Sequence, residues 1–168
     1  MRFDLKPLSA EAIARALTKA ERYRLLNEPG EAESICLDVL GIEPENQDAL
    51  IVLLLALTDQ FDDDMRSAVN DARDVLRQLH GNYERAYYGG IICERRAKAH
   101  LHRATPGSGP MAYQCFLEAM DLYEQAEALR PPGNDDAVLR WNTCARLLMR
   151  HPHLEPRPHE PAEPLMLE

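Results

Sequence analysis

The chain has 168 residues, 45% of them apolar and 28% charged, with a formal net charge of −9. Such a profile fits one folded domain whose core needs no disulfides, and excludes a disordered or membrane-embedded chain. The negative charge opposes nonspecific association with nucleic acid or an anionic membrane, so neither is expected as a partner.

Ala and Leu number 21 and 24, against 15 for Ile, Val and Thr together. Small and straight-chain residues lose little freedom in a helix, so the expected class is all-α. Residues 1–9 form an N-terminal extension with no apolar stretch of secretory length, which points to a cytoplasmic protein. Ser9 is placed to cap a helix over residues 10–26, which Asn27-Glu28-Pro29-Gly30 stops. A second helix is expected over 31–40, closed by a left-handed Gly41 and barred from continuing by Pro44. Two more follow over 47–58 and about 62–79, with Gly81 as terminator. Residues 49–57, the longest apolar run, fall far short of the ~20 that span a bilayer. A long helix over 82–103, the loop 105–110 and a helix from about Pro110 to Arg130 make a third hairpin, whose arms should protrude. Asn134 is placed to cap a seventh helix ending near Met149. Residues 151–168 hold five prolines in 18 residues, which predicts a flexible tail, with Leu165-Met166-Leu167-Glu168 as a candidate short motif.

Equivalent side chains recur at a nearly constant offset. Shifting Ala20, Ala32, Cys36 and Val39 by 36 lands on Ala56, Ala68, Ala72 and Val75. A further shift of 34 takes Ala56 to Gly90, and a shift of 51 takes Ala68, Ala72 and Val75 to Ala119, Tyr123 and Ala126, leaving 17 residues inserted in the third hairpin. Gly89 and Gly90 in mid-helix are expected to mark a close helix crossing. Residues 10–150 thus read as three helical hairpins and a capping helix.

This pattern resembles the tetratricopeptide repeat, a unit of about 34 residues with small residues where its two helices cross and a proline after the second. The residues that carry the resemblance are Ala20, Tyr23, Ala32 and Pro44, then Ala56, Ala68 and Ala72, then Gly89, Gly90, Ala119, Tyr123, Ala126 and Pro131. The family's early Trp is absent from every hairpin, and His80 stands where its second proline would be. The resemblance implies a right-handed superhelix (α-α solenoid) lined by the first helix of each pair, and a role in holding other proteins or peptides.

If the first helices pack through Ala16, Ala20 and Tyr23 or Val52, Leu55 and Ala56, then Leu50, Leu53, Leu57 and Phe61 face the groove. Apolar on both faces, that helix must be covered on both: by the third hairpin, by Phe3, Leu5 and Leu8, or by a partner. The third hairpin carries Tyr87, Ile91, Glu94, Arg95, Lys98 and His102 along one helical face, within a basic stretch that also holds Arg96, His100 and Arg103. An aromatic and cationic stripe suits a peptide with an apolar anchor and a carboxylate. Alternatively, it pairs with Asp62-Asp63-Asp64 or with Glu118, Asp121 and Glu124. Asp59, Asp62, Asp63 and Asp64 lack the glycine and glutamate of a calcium loop and read as a helix-start cluster. His100 and His102 are not four apart, as helical metal pairs are, and His151 and His153 lie in the tail. Four scattered cysteines, Cys36, Cys93, Cys115 and Cys144, read as reduced core thiols. No spacing marks a catalytic, metal or cofactor site. The expected function is therefore a protein-interaction module without enzymatic activity, the alternative being a scaffold that forms homodimers.

Overall fold

The computed structural model describes residues 3–62 and 65–155. Asp63, Asp64 and the expected motif at Leu165-Met166-Leu167-Glu168 lie outside the described residues. Among the described residues there are seven α-helices and no strand. They are α1 (Ile13–Leu25), α2 (Pro29–Ile42), α3 (Gln47–Asp59), α4 (Met65–Leu76), α5 (Asn82–Arg103), α6 (Ser108–Leu129) and α7 (Asp136–Arg150). Short 3-10 turns at Ala10–Ala12 and Pro152–Leu154 flank them. No helix is long and apolar enough to cross a membrane among the described residues.

The helix boundaries follow local chemistry, sometimes at other residues than expected. Asn27 takes the left-handed conformation at φ 60°, Glu28 donates its backbone N–H to the Tyr23 carbonyl at 2.9 Å, and Pro29 starts α2 at once. Gly41 is not a left-handed terminator. It lies inside α2, which continues to Ile42 before Glu43 leaves the helix. Gly81 likewise opens α5 from an extended conformation instead of closing α4. Ser9 makes no side-chain cap bond, whereas Asn134 accepts the Asp136 backbone N–H at 3.0 Å, as its position suggests. Asn46 caps α3 by accepting the Ala49 N–H at 2.9 Å. Removing that acceptor in Asn46→Ala should cost about 1 kcal/mol of stability, measurable by urea denaturation.

Every residue matched by the repeat offset is buried, from Ala20, Ala32, Cys36 and Val39 to Ala119, Tyr123 and Ala126. The offset therefore marks the packing layer that recurs from hairpin to hairpin. Gly90 allows the closest crossing: a Cβ there would lie 2.5 Å from Cε1 of Tyr123 on α6. Gly89 is looser, since a Cβ at that position would meet Leu122 at 3.5 Å and Leu76 at 3.6 Å. Each helix packs on the next, most extensively α5 on α6, and α1 also touches α3 as α3 touches α5. The four cysteines are free and buried.

The third hairpin's tip is less isolated than its length suggests. Arg103, in the last turn of α5, donates to the Phe61 and Asp62 carbonyls at 3.3 and 3.4 Å, holding that end to the α3–α4 connection. At the start of α6, Leu154 is buried and would touch a side chain at Gly109 at 3.5 Å. The expected tail thus begins with an ordered turn that returns to α6, because one leucine among the prolines has apolar surface to bury.

Candidate interaction surface

The residues expected to form one groove divide among three places. Leu50, Leu53, Leu57 and Phe61 are each 6% exposed or less, so they do not line an open trough. Leu50, Leu53 and Leu57 form the floor of a cleft of about 380 Å³ between α2 and α4, with Leu37 and Leu40 on one wall and Val75 on the other. The cover comes from these two helices and not from the N-terminal segment, where Phe3 and Leu5 remain exposed and Leu8 packs instead against the cluster of Ile13, Val39 and Ala49. Phe61 is covered from α5, as the third-hairpin reading allowed, whereas Leu50, Leu53 and Leu57 are covered by α2 and α4, neighbours that periodicity did not name.

Tyr87, Ile91 and Glu94 turn toward α6 and α7. Ile91 is buried, and Tyr87 stands among Tyr83, Tyr88 and Tyr123 with ring centroids 5.7, 5.1 and 6.0 Å away. Glu94 is fully buried. Its carboxylate accepts from the Tyr123 hydroxyl at 2.7 Å, from Arg140 on α7 at 3.2 Å and from Lys98 one turn along α5. Burial alone would raise its pKa, but the hydrogen bonds from Lys98 and Tyr123 and the positive charges of Lys98 and Arg140 prevail and hold it below its ordinary value. Burial, with the adjacent carboxylate, pushes the Tyr123 phenol far up, so it remains a donor. These three expected contact residues are therefore structural: Glu94 joins α5, α6 and α7 through one charge.

Arg95, Lys98 and His102 do come together, with Phe61, at a pocket of about 80 Å³ where α3 meets α5. Its other lining residues are Thr58, Asp59, Asp62 and Ala99. Arg95 binds Asp59 at 3.0 Å, and the other Asp59 oxygen accepts from Nε of Arg24 on α1 at 2.8 Å. His102 meets Asp62 at 3.1 Å, with both side chains more than half exposed. The cationic stripe is thus partly neutralised by Asp59 of α3 and Asp62 of the α3–α4 connection, as the alternative reading of Asp62 allowed. Asp59 is not a helix-start residue: it ends α3, an unfavourable place for a carboxylate that two guanidiniums compensate.

Sequence reasoning missed the bridging roles of Arg24, Asp59 and Arg140. Arg24, Asp59 and Arg95 are 35 and 36 residues apart, close to the repeat offset, so comparing equivalent positions for charge as well as size would have linked them. The basic stretch of α5 also splits. Arg95, Lys98 and His102 line the α3 side, while Arg96, His100 and Arg103 line a separate cleft against α4.

No protein-family model, curated protein sequence or solved structure matches the chain.

Proposed function

We propose that the chain is a protein-binding module, a tetratricopeptide-like array that receives a partner segment on the face shared by α1, α3 and α5. The observation that carries this reading is the Arg24–Asp59–Arg95 bridge, which links three alternate helices across one surface beside the Phe61 pocket. Helices α1 and α3, and α3 and α5, approach one another, whereas α2 and α4 leave a cleft between them. That asymmetry is what a curved stack with its odd-numbered helices inside would produce. The inner wall is then polar, with charges of both signs, and a partner would exchange its own carboxylate for Asp62 at His102 while placing one small apolar tip over Phe61. Specificity would come from matched charges more than from buried area.

A photo-crosslinking residue in place of exposed Asp62, compared with one at Gln78 beside the α2–α4 cleft, tests this. One protein should be captured reproducibly from 62 and not from 78, and lost when exposed His102 is changed to Glu. Equal capture at both positions, or capture indifferent to the charge reversal, overturns the reading.

A second reading rests on the array's two ends. Leu25 and Leu26 on the α1 side are 86% and 67% exposed, and Leu139 and Met149 on α7 are 62% and 72% exposed. Those residues could meet a second copy, making the chain a self-assembling scaffold. A dimer persisting in light scattering at low micromolar concentration would favour it, and a monomer would remove it.

A further inference from the structure

The α4–α5 side carries a different arrangement. A cleft of about 380 Å³ opens there, with arginines at four positions: Arg66 and Arg73 on α4, Arg96 and Arg103 on α5. On each helix the pair is seven residues apart, two turns or about 10 Å, so both project from one stripe. The helices run antiparallel, which puts Arg66 near Arg103 and Arg73 near Arg96. Consistently, Arg73 and Arg96 both act on the Cys93 and Cys115 thiols, and Arg66 and Arg103 line the same cleft. With helix axes about 8–10 Å apart, the four cations frame a rectangle roughly 10 Å on a side.

Such a frame is self-repelling. Among the described residues no acid lines the cleft. On the packed helix α6, Glu118 stands beside the Cys93 sulfur at 4.0 Å, and Asp62, near Arg103, is engaged by His102. The other charged stripe of α5 is matched by Asp59 of α3 and Asp62 of the α3–α4 connection, and Arg103 donates to the Phe61 and Asp62 carbonyls, whereas Arg66, Arg73 and Arg96 have no acid beside them in the cleft among the described residues. Between them sits His100, whose Nε2 is buried with no hydrogen-bond partner. Burial and the charges of Arg96 and Arg103 hold that ring below its ordinary pKa, leaving a neutral imidazole able to donate one hydrogen bond. Met65 and Val69 supply an apolar floor.

We infer that this cleft is an anion site for an oligophosphate chain, bound by the four guanidiniums and His100. Row-like phosphates match the frame better than a single small anion, which cannot span it, and guanidinium forks suit phosphate oxygens. The chain could be inorganic or part of a nucleotide. This site is independent of the α1–α3–α5 face, so either can fail alone.

Calorimetry with tripolyphosphate and with metal-free ATP, on the full chain at 0.15 M ionic strength, tests the inference. One tripolyphosphate should bind per chain, and the melting temperature should rise by about 5 °C or more at 100 times Kd. Exposed Arg66 and Arg73, changed to Gln, should each weaken binding about tenfold without changing the unliganded melting temperature, as should Arg96→Gln. Lys19→Gln, far from the cleft, should change nothing. Binding should raise the His100 pKa, visible in its ring proton shifts. Equal affinity for both ligands assigns recognition to the phosphates, and tighter ATP binding adds the apolar floor as a seat for the base. Failure of both to bind, arginine variants that bind within twofold of the parent, or displacement of tripolyphosphate by an equal concentration of hexaglutamate would each overturn it.

Discussion

Replacing Glu94 by Ala should lower stability by about 3–5 kcal/mol, the range for removing one partner from a buried charge cluster. The carboxylate is fully buried and Tyr123 donates its hydroxyl to it, so truncation leaves that hydroxyl inside the protein without its acceptor. Lys98 and Arg140 would also lose their shared counter-charge, but each is about one-third exposed, at 32% and 33%, so water relieves part of that loss and the lower half of the range is expected. Glu94→Gln keeps an acceptor for Tyr123 and should cost less, about 1.5–3 kcal/mol. The pH dependence has a definite sign. Glu94 is held below its ordinary value of 4.5 in the folded chain, so its contribution is complete above that pH and fades as pH falls toward the folded value. Urea titrations at pH 7 and at pH 3.5 should therefore show the gap between parent and Glu94→Gln narrowing at the lower pH. An unchanged gap would mean that the charge of Glu94 is not what stabilises the junction.

How much of this could be read from the chain depends on the range of the interaction. Helices were legible because apolar periodicity and breakers act within a few residues: α5 begins at Asn82 and ends at Arg103 as its sequence indicates. Turn chemistry was less so, since Asn27 adopts the left-handed conformation while Gly41 remains helical, and only the packing of the next helix decides which. The repeat offset reached further, finding Ala20, Ala56 and Gly90 in one buried layer. Lateral partnership was the missing element. A second apolar stripe on α3 states that Leu50, Leu53 and Leu57 must be covered, but not that α2 and α4 will cover them. Likewise a run containing Arg95, Arg96, Lys98, His100, His102 and Arg103 looks like one basic patch until the neighbours divide it by angle, roughly a third of a turn between the two stripes. Glu94 looked like part of that surface because charged residues are seldom fully buried, and its partners Tyr123 and Arg140 come from 29 and 46 residues away.

Adjacent glycines should respond in opposite directions to the same substitution. Gly89→Ala should stabilise by up to about 1 kcal/mol, because alanine is the better helix former and its methyl would meet Leu122 and Leu76 at ordinary contact distance. Gly90→Ala gains the same propensity but drives a methyl to 2.5 Å from the Tyr123 ring. That ring is rigid, its hydroxyl is fixed to Glu94, and the surrounding residues Tyr87 and Cys144 are themselves packed, so it has little room to yield. Overpacking of this kind costs about 1–3 kcal/mol and occasionally more, which outweighs the helical gain. The two variants should therefore differ in urea midpoint with unchanged slope. Coupling isolates the cause: in a Tyr123→Leu background, where the ring is gone, Gly90→Ala should become neutral or stabilising, while Gly89→Ala keeps its effect. If Gly90→Ala remains destabilising there, the crossing is limited by the α5 and α6 backbones and not by the tyrosine. In that case the repeat position would demand glycine for helix spacing, and Tyr123 would owe its place to Glu94 alone.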